Sequence, residues 1–144
     1  MDETILQRIP HRPPFLFVDK IIERRGDGLV AALEWKADSD FYKGHYPDHP
    51  ITPGVLLCES VFQTAGIFLS EQMPPEAKLV PVLTRIHSAR FKNLVRPGAV
   101  VTMEVKLIET HDGRFFTLRG FVREDAKLAL TIDFTVAMIE DLPI

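Results

Sequence analysis

Val55-Leu56-Leu57-Cys58-Glu59-Ser60-Val61-Phe62-Gln63-Thr64-Ala65-Gly66-Ile67-Phe68-Leu69-Ser70 carries no proline and one glycine, and its apolar residues fall on almost every side of a helix. A helix without a polar face is one buried all round. Met73-Pro74-Pro75 ends it, because proline lacks the N–H that the next helical turn needs. Beyond it the period changes to two. Val101, Met103, Val105 and Leu107 alternate with Thr102, Glu104 and Lys106, and Asp112-Gly113 offers a hairpin turn into residues 115–123. After a second turn at Glu124-Asp125, the residues Leu128, Leu130, Ile132, Phe134, Val136 and Met138 form the cleanest alternation of the chain. Ahead of the helix, residues 15–24 follow Pro13-Pro14, read as a strand and close at Gly26-Asp27-Gly28; residues 29–36 alternate as its hairpin partner. Residues 41–54 break both periods and form an ordered loop stiffened by Pro47, Pro50 and Pro53. A hairpin, one buried helix and three or four long antiparallel strands predict an α+β domain, its antiparallel sheet wrapped around a long central helix. With no repeat, low-complexity tract or linker, residues 1–144 are expected to form a single domain.

The composition is 46% hydrophobic and 26% charged with a formal net charge of -3, that of a soluble globular chain and not of a disordered or nucleic-acid-coating one. No nucleic-acid partner is expected. Cys58 stands alone, so neither an internal disulfide nor a thiolate metal site can be built, and a reducing cytoplasm is the expected compartment. The acidic start lacks a secretory or transit pattern, and no apolar run reaches the roughly 18 residues of a membrane span.

The chemistry should lie where loop meets helix. Gly44-His45-Tyr46-Pro47-Asp48-His49-Pro50-Ile51-Thr52-Pro53-Gly54 leads into the helix that carries Glu59 about one turn inside. Imidazole titrates near neutrality, so a histidine held in such a loop can act as a base. Gly54 lets a ligand approach the backbone, and the free N–H groups of a helix opening there, with its positive dipole end, can polarise a carbonyl oxygen. Desolvation on an apolar helix should raise the pKa of Glu59 and keep a proton ready for donation. Gln63 follows four residues later on the same face and can orient that carboxyl. A base, an acid and an oxyanion-stabilising helix start are what dehydration beside a thioester requires.

The same residues carry a resemblance. Gly44-His45-Tyr46-Pro47, Pro50, Pro53-Gly54-Val55-Leu56, Glu59-Ser60 and Gln63 look like the signature of the beta-hydroxyacyl-ACP dehydratase family of bacterial type II fatty acid synthesis. Ile9-Pro10-His11-Arg12-Pro13-Pro14-Phe15-Leu16-Phe17-Val18-Asp19 is similar to that family's N-terminal block, and Ala89-Arg90-Phe91-Lys92 ahead of Arg96-Pro97-Gly98 to a third. The blocks lie in order over most of the chain. Tyr46 replaces a phenylalanine and Ser60 an alanine, while Asn93-Leu94-Val95 and Ala99 depart further, beside the substrate and the strand edge.

The resemblance implies a hot-dog fold and the conversion of a (3R)-3-hydroxyacyl thioester on acyl carrier protein into a trans-2-enoyl thioester, with no cofactor or metal. It implies that His45 is the catalytic histidine, Glu59 the catalytic acid and Gly54 the donor to the thioester oxygen, with Val55 and Gln63 bordering the substrate. It also implies a homodimer whose sites take His45 and Glu59 from different subunits; whether dimers assemble further into a hexamer is left open. Glutamate at position 59, in place of aspartate, is similar to the broad-specificity branch. A hot-dog thioesterase and a non-catalytic acyl-binding subunit are the alternatives, and the need for His45 separates them from a dehydratase.

The other candidates read as structural. His11 should fix the N-terminal segment away from the chemistry, His49 should be exposed, and His87 and His111 should lie in a strand and at a turn. Cys58 should be a packed thiol. Arg85, Arg90, Lys92 and Arg96 concentrate positive charge in a net acidic chain, as a solvated strand face or a docking patch for the acidic carrier protein.

Overall fold

Alternation becomes pairing over the second half of the chain. In a computed structural model that describes residues 2–140, the strands β3 (Leu79–Phe91), β4 (Val100–His111), β5 (Phe115–Glu124) and β6 (Lys127–Glu140) follow the central helix α2 (Gly54–Gln72). Along β6 the side chains of Leu130, Ile132, Phe134, Val136 and Met138 are buried, while Thr131, Asp133 and Thr135 between them keep partial access to solvent. That is a strand with one face on the core. Both turns form as the sequence predicts: Asp112 and Gly113 take φ of 54° and 67°, and Asp125 takes 54°, left-handed values that a tight hairpin requires.

The hairpin ahead of the helix, β1 (Lys20–Arg25) and β2 (Gly28–Glu34), joins the same sheet. The order is β1-β2-β4-β5-β6-β3, every pairing antiparallel, and α2 packs against β2, β3, β4, β5 and β6. A sheet that touches one helix with five of its strands is curved around it, and this is the hot-dog fold expected. The helix is buried from Leu57 to Leu69 except at Glu59 and Phe62, which are half-buried, whereas Val55 in the first turn is 75% exposed. Gly120 of β5 permits the close approach: a Cβ there would lie 2.3 Å from a methyl of Val61.

The structure corrects one expectation and adds two features. The first strand begins at Lys20, not Phe15, because residues 15–19 run as irregular backbone and the ladder opens only where the Asp19 N–H reaches the Ala32 carbonyl at 2.9 Å. A short helix α1 (Glu3–Arg8) precedes it, capped by the Asp2 carboxylate on the Thr4 N–H at 3.0 Å, and it packs on α2. Finally, β3 lies at the sheet edge, and Val82, Leu83, Ile86 and Phe91 along it are each at least 39% exposed. No helix among the described residues is long and apolar enough to cross a membrane.

Candidate active site

The proline-rich loop is fixed from within. A 3-10 turn at Asp40–Lys43 delivers the chain to His45, whose N–H donates to the Phe41 carbonyl at 3.0 Å and whose carbonyl accepts from the Ile51 N–H at 3.0 Å. Buried Tyr42 shares a hydroxyl hydrogen bond of 2.6 Å with Thr52, and the Thr52 N–H donates to the Val95 carbonyl at 2.8 Å, tying the loop to the segment after β3. The His45 ring stacks on Tyr46 and places Nδ1 2.9 Å from the Ile51 carbonyl. A carbonyl oxygen only accepts, so Nδ1 carries the hydrogen and Nε2 of the neutral ring keeps a free lone pair. The loop thus selects the tautomer a base needs.

Pro53 serves as the N-cap of α2 and no side chain caps its first turn, so the N–H groups of Gly54 and Val55 have no intrahelical acceptor. These donors and the positive end of the helix dipole lie beside the exposed Val55. The glycine is required by space and not by conformation, since its φ is not positive. A Cβ at residue 54 would lie 2.8 Å from Cε1 of Phe91, which the third motif block supplies from the end of β3.

Glu59 is held by an inward chain of hydrogen bonds. Fully buried Gln63 donates from Nε2 to Glu59 Oε2 at 2.9 Å and to the Phe15 carbonyl at 3.2 Å, while its Oε1 accepts the Phe17 N–H at 2.7 Å. The carboxyl projects into a cleft of about 80 Å³ lined by His11, Phe62, Pro81, Leu83 and Val136. Burial pushes the Glu59 carboxyl above the usual carboxylate range, and the hydrogen bond from Gln63 offsets part of that rise. The group therefore retains its proton to higher pH than a solvated glutamate.

Within one chain, His45 neither lines this cleft nor makes a polar contact with Glu59. The histidine beside the acid is His11, with Nε2 3.5 Å from Glu59 Oε2. His11, expected to stand apart from Glu59, lies against it instead. Its motif block was legible, but no spacing tells which helix residue such a loop will meet. His49 is exposed, His87 bonds Thr135 on the solvent face of the sheet, and His111 pairs with Glu109 at the end of β4. Cys58 is buried, which pushes its thiol up to about 11 and leaves it a packing residue. Arg85, Arg90, Lys92 and Arg96 are all exposed, and none takes part in an ion pair among the described residues.

Comparison with known proteins adds to this geometry. The FabA-like domain family matches residues 9–133. The chain is 32% identical over 136 residues to a 3-hydroxyacyl-[acyl-carrier-protein] dehydratase FabZ of Petrotoga mobilis, covering 94% of this chain and 96% of the relative. To the protein of the same name from Solibacter usitatus it is 40% identical over 101 residues, 70% of this chain and 62% of the relative's length. Among solved structures, the dehydratase heterocomplex ApeI:P from Xenorhabdus doucetiae superposes with a TM-score of 0.78 at 15% identity, over 95% of this chain and 91% of that one, a likeness of fold.

Proposed function

Because the chain belongs to the FabA-like domain family, and within it to the FabZ-type dehydratases, we propose that it eliminates water from a (3R)-3-hydroxyacyl thioester carried on the phosphopantetheine arm of acyl carrier protein. The observation that carries the reading is a carboxyl with a raised pKa on the same helix that opens with free N–H groups at Gly54. The thioester oxygen rests on the Gly54 N–H, with Val55 beside it, and the carbonyl's polarisation acidifies Cα. His45 Nε2 takes the Cα proton, the electron pair forms the Cα–Cβ double bond, and Glu59 donates its proton to the departing Cβ hydroxyl, which leaves as water. His45 gains one proton and Glu59 loses one, so solvent resets the pair without a cofactor or metal.

The separation of His45 from the Glu59 cleft within a chain supports a homodimeric site, with His45 from one protomer and Glu59 from its partner. The edge strand β3 offers the seam. Its thirteen residues end the sheet with unpaired backbone groups and exposed apolar side chains, which two copies bury by pairing edge to edge. Docking of the carrier protein falls to Arg85, Arg90, Lys92 and Arg96, charges free to meet an acidic partner, and raised salt should weaken that association. The compartment is the cytoplasm.

One 3-hydroxyacyl thioester distinguishes the outcomes. Rising absorbance of the conjugated enoyl product supports dehydration; release of free thiol without enoyl product identifies a thioesterase; neither signal, with binding retained, identifies an acyl-binding subunit.

A further inference from the structure

We propose that His11 is a positioning residue for the acid: it faces Oε2 of Glu59 beside the Gln63 donor and so favours the transferable proton on Oε1. The inference rests on the dehydratase reading, in which Glu59 must present a proton in one direction.

Arg12 fixes the segment that bears His11. Its guanidinium donates to the carbonyls of Leu6 at 2.8 Å, Ile9 at 2.9 Å and His11 at 2.6 Å, fastening residues 9–12 to the end of α1. The His11 ring lies alongside Phe15, centroids 6.5 Å apart, and Phe15 and Phe17 are held by Gln63 through their backbones. The N-terminal block and Gln63 thus form one scaffold around the carboxyl.

The tautomer follows from what each nitrogen meets. Nδ1 of His11 is buried without a hydrogen-bond partner, and Nε2 faces Oε2 at 3.5 Å. A buried N–H without an acceptor is rarer and more costly than an idle lone pair, so the hydrogen belongs on Nε2, the nitrogen on the carboxyl's side. Oε2 already accepts from Gln63 at 2.9 Å. With Gln63 bonded to Oε2 and His11 Nε2 facing the same oxygen from 3.5 Å, a contact longer than a formed hydrogen bond, a proton is better accommodated on Oε1, which has no protein partner among the described residues.

The surroundings leave little else to act on the carboxyl. On its own helix the nearest titratable group is Cys58, a neutral thiol; the other walls of the cleft, Phe62 of α2, Pro81 and Leu83 of β3 and Val136 of β6, are apolar. From the N-terminal segment come His11 and, behind it, Arg12. Burial first and then the Arg12 charge lower the His11 pKa, which favours the neutral ring.

The test compares His11→Phe, which retains the ring and removes both nitrogens, with His11→Gln, which restores a donor. His11→Phe should lower kcat about tenfold or more through misplacement of the acid, with KM nearly unchanged. Carbon-13 NMR of the Glu59 carboxyl, assigned against Glu59→Gln, should show its titration moving to higher pH in His11→Phe and returning part of the way in His11→Gln, because a donor to the carboxylate favours its charged form. An unmoved titration, or His11→Phe with wild-type kcat, overturns the positioning role. The titration does not depend on turnover, so a wild-type protein without dehydration defeats the functional reading separately. If His11→Phe does not fold, an unmoved titration in folded His11→Gln relative to a folded His11→Ala overturns the role as well.

Discussion

Replacing Gln63 by leucine removes the hinge between the N-terminal block and the acid at nearly constant volume. Gln63 is fully buried and uses both ends of its amide, accepting from Phe17 at 2.7 Å and donating to Glu59 at 2.9 Å and to the Phe15 carbonyl at 3.2 Å. The Phe17 N–H is the expensive loss: Phe17 is buried, and an orphaned buried donor costs about 1–3 kcal/mol. Phe15 is half exposed and Glu59 opens onto the cleft, so water replaces most of what they lose, and the apolar side chain recovers part of the amide's own desolvation. The net destabilisation is therefore about 1–3 kcal/mol, which in a chain of this size lowers Tm by roughly 3–12 °C. Thermal unfolding followed by circular dichroism, at equal protomer concentration because a dimer's Tm depends on it, measures the drop. The alkaline limb of kcat should also move to higher pH, since the hydrogen bond that lowers the Glu59 pKa is gone. A Gln63→Leu protein with wild-type Tm and an unmoved alkaline limb would refute the coupling of this amide to both the backbone and the acid.

Other changes have equally definite outcomes. His45→Ala should reduce enoyl formation a hundredfold or more while leaving Tm near wild type, because a half-buried loop imidazole contributes general-base catalysis and little packing. Glu59→Gln should be similarly inactive. Its stability has a signed pH dependence: the folded-state pKa is raised, so wild-type stability is fully present below the unfolded carboxylate pKa and falls as pH rises through the folded one, whereas Glu59→Gln should lack that fall. Parallel urea titrations at acid and alkaline pH compare the two slopes. Gly54→Val should impair turnover because its Cβ meets the Phe91 ring, and Phe91→Ala in the same chain should restore part of kcat/KM if crowding is the cause. An additive double mutant would assign the defect to the helix start alone.

The long elements were legible because their periods are strong: two in residues 100–140 and the absence of any polar face in residues 55–70. Elements without a period were not. Residues 15–19 are as apolar as a strand, but Phe17 gives its N–H to the Gln63 side chain instead of a neighbouring strand, and no local pattern announces that partner. The six residues of α1 are too short for a stripe, although Asp2 as cap and Arg8 in the last turn are the usual boundary signals. At the site, the sequence pointed to Gln63 as the hydrogen-bond partner of Glu59 and to burial raising the Glu59 pKa. It did not reveal that His11 is the histidine nearest the acid in the chain, since that contact depends on how the irregular segment between Arg8 and Lys20 lies across a helix some fifty residues away. Gly54 was read as a place where a ligand approaches the backbone; within the chain what lies against it is Phe91, a contact no local pattern announces.

The central claim is a dehydratase site shared between two copies of the chain, and a mixture of two dead variants tests it most directly. His45→Ala and Glu59→Gln proteins, each inactive alone, are unfolded together and refolded, and enoyl formation is read against the wild type. If each site takes His45 from one protomer and Glu59 from its partner, a mixed dimer has one site without either group and one intact. Random pairing makes half the dimers mixed, so about a quarter of wild-type activity should return, as two-fold symmetry requires. No recovery, with mixed dimers demonstrated by native mass spectrometry, would contradict the shared site.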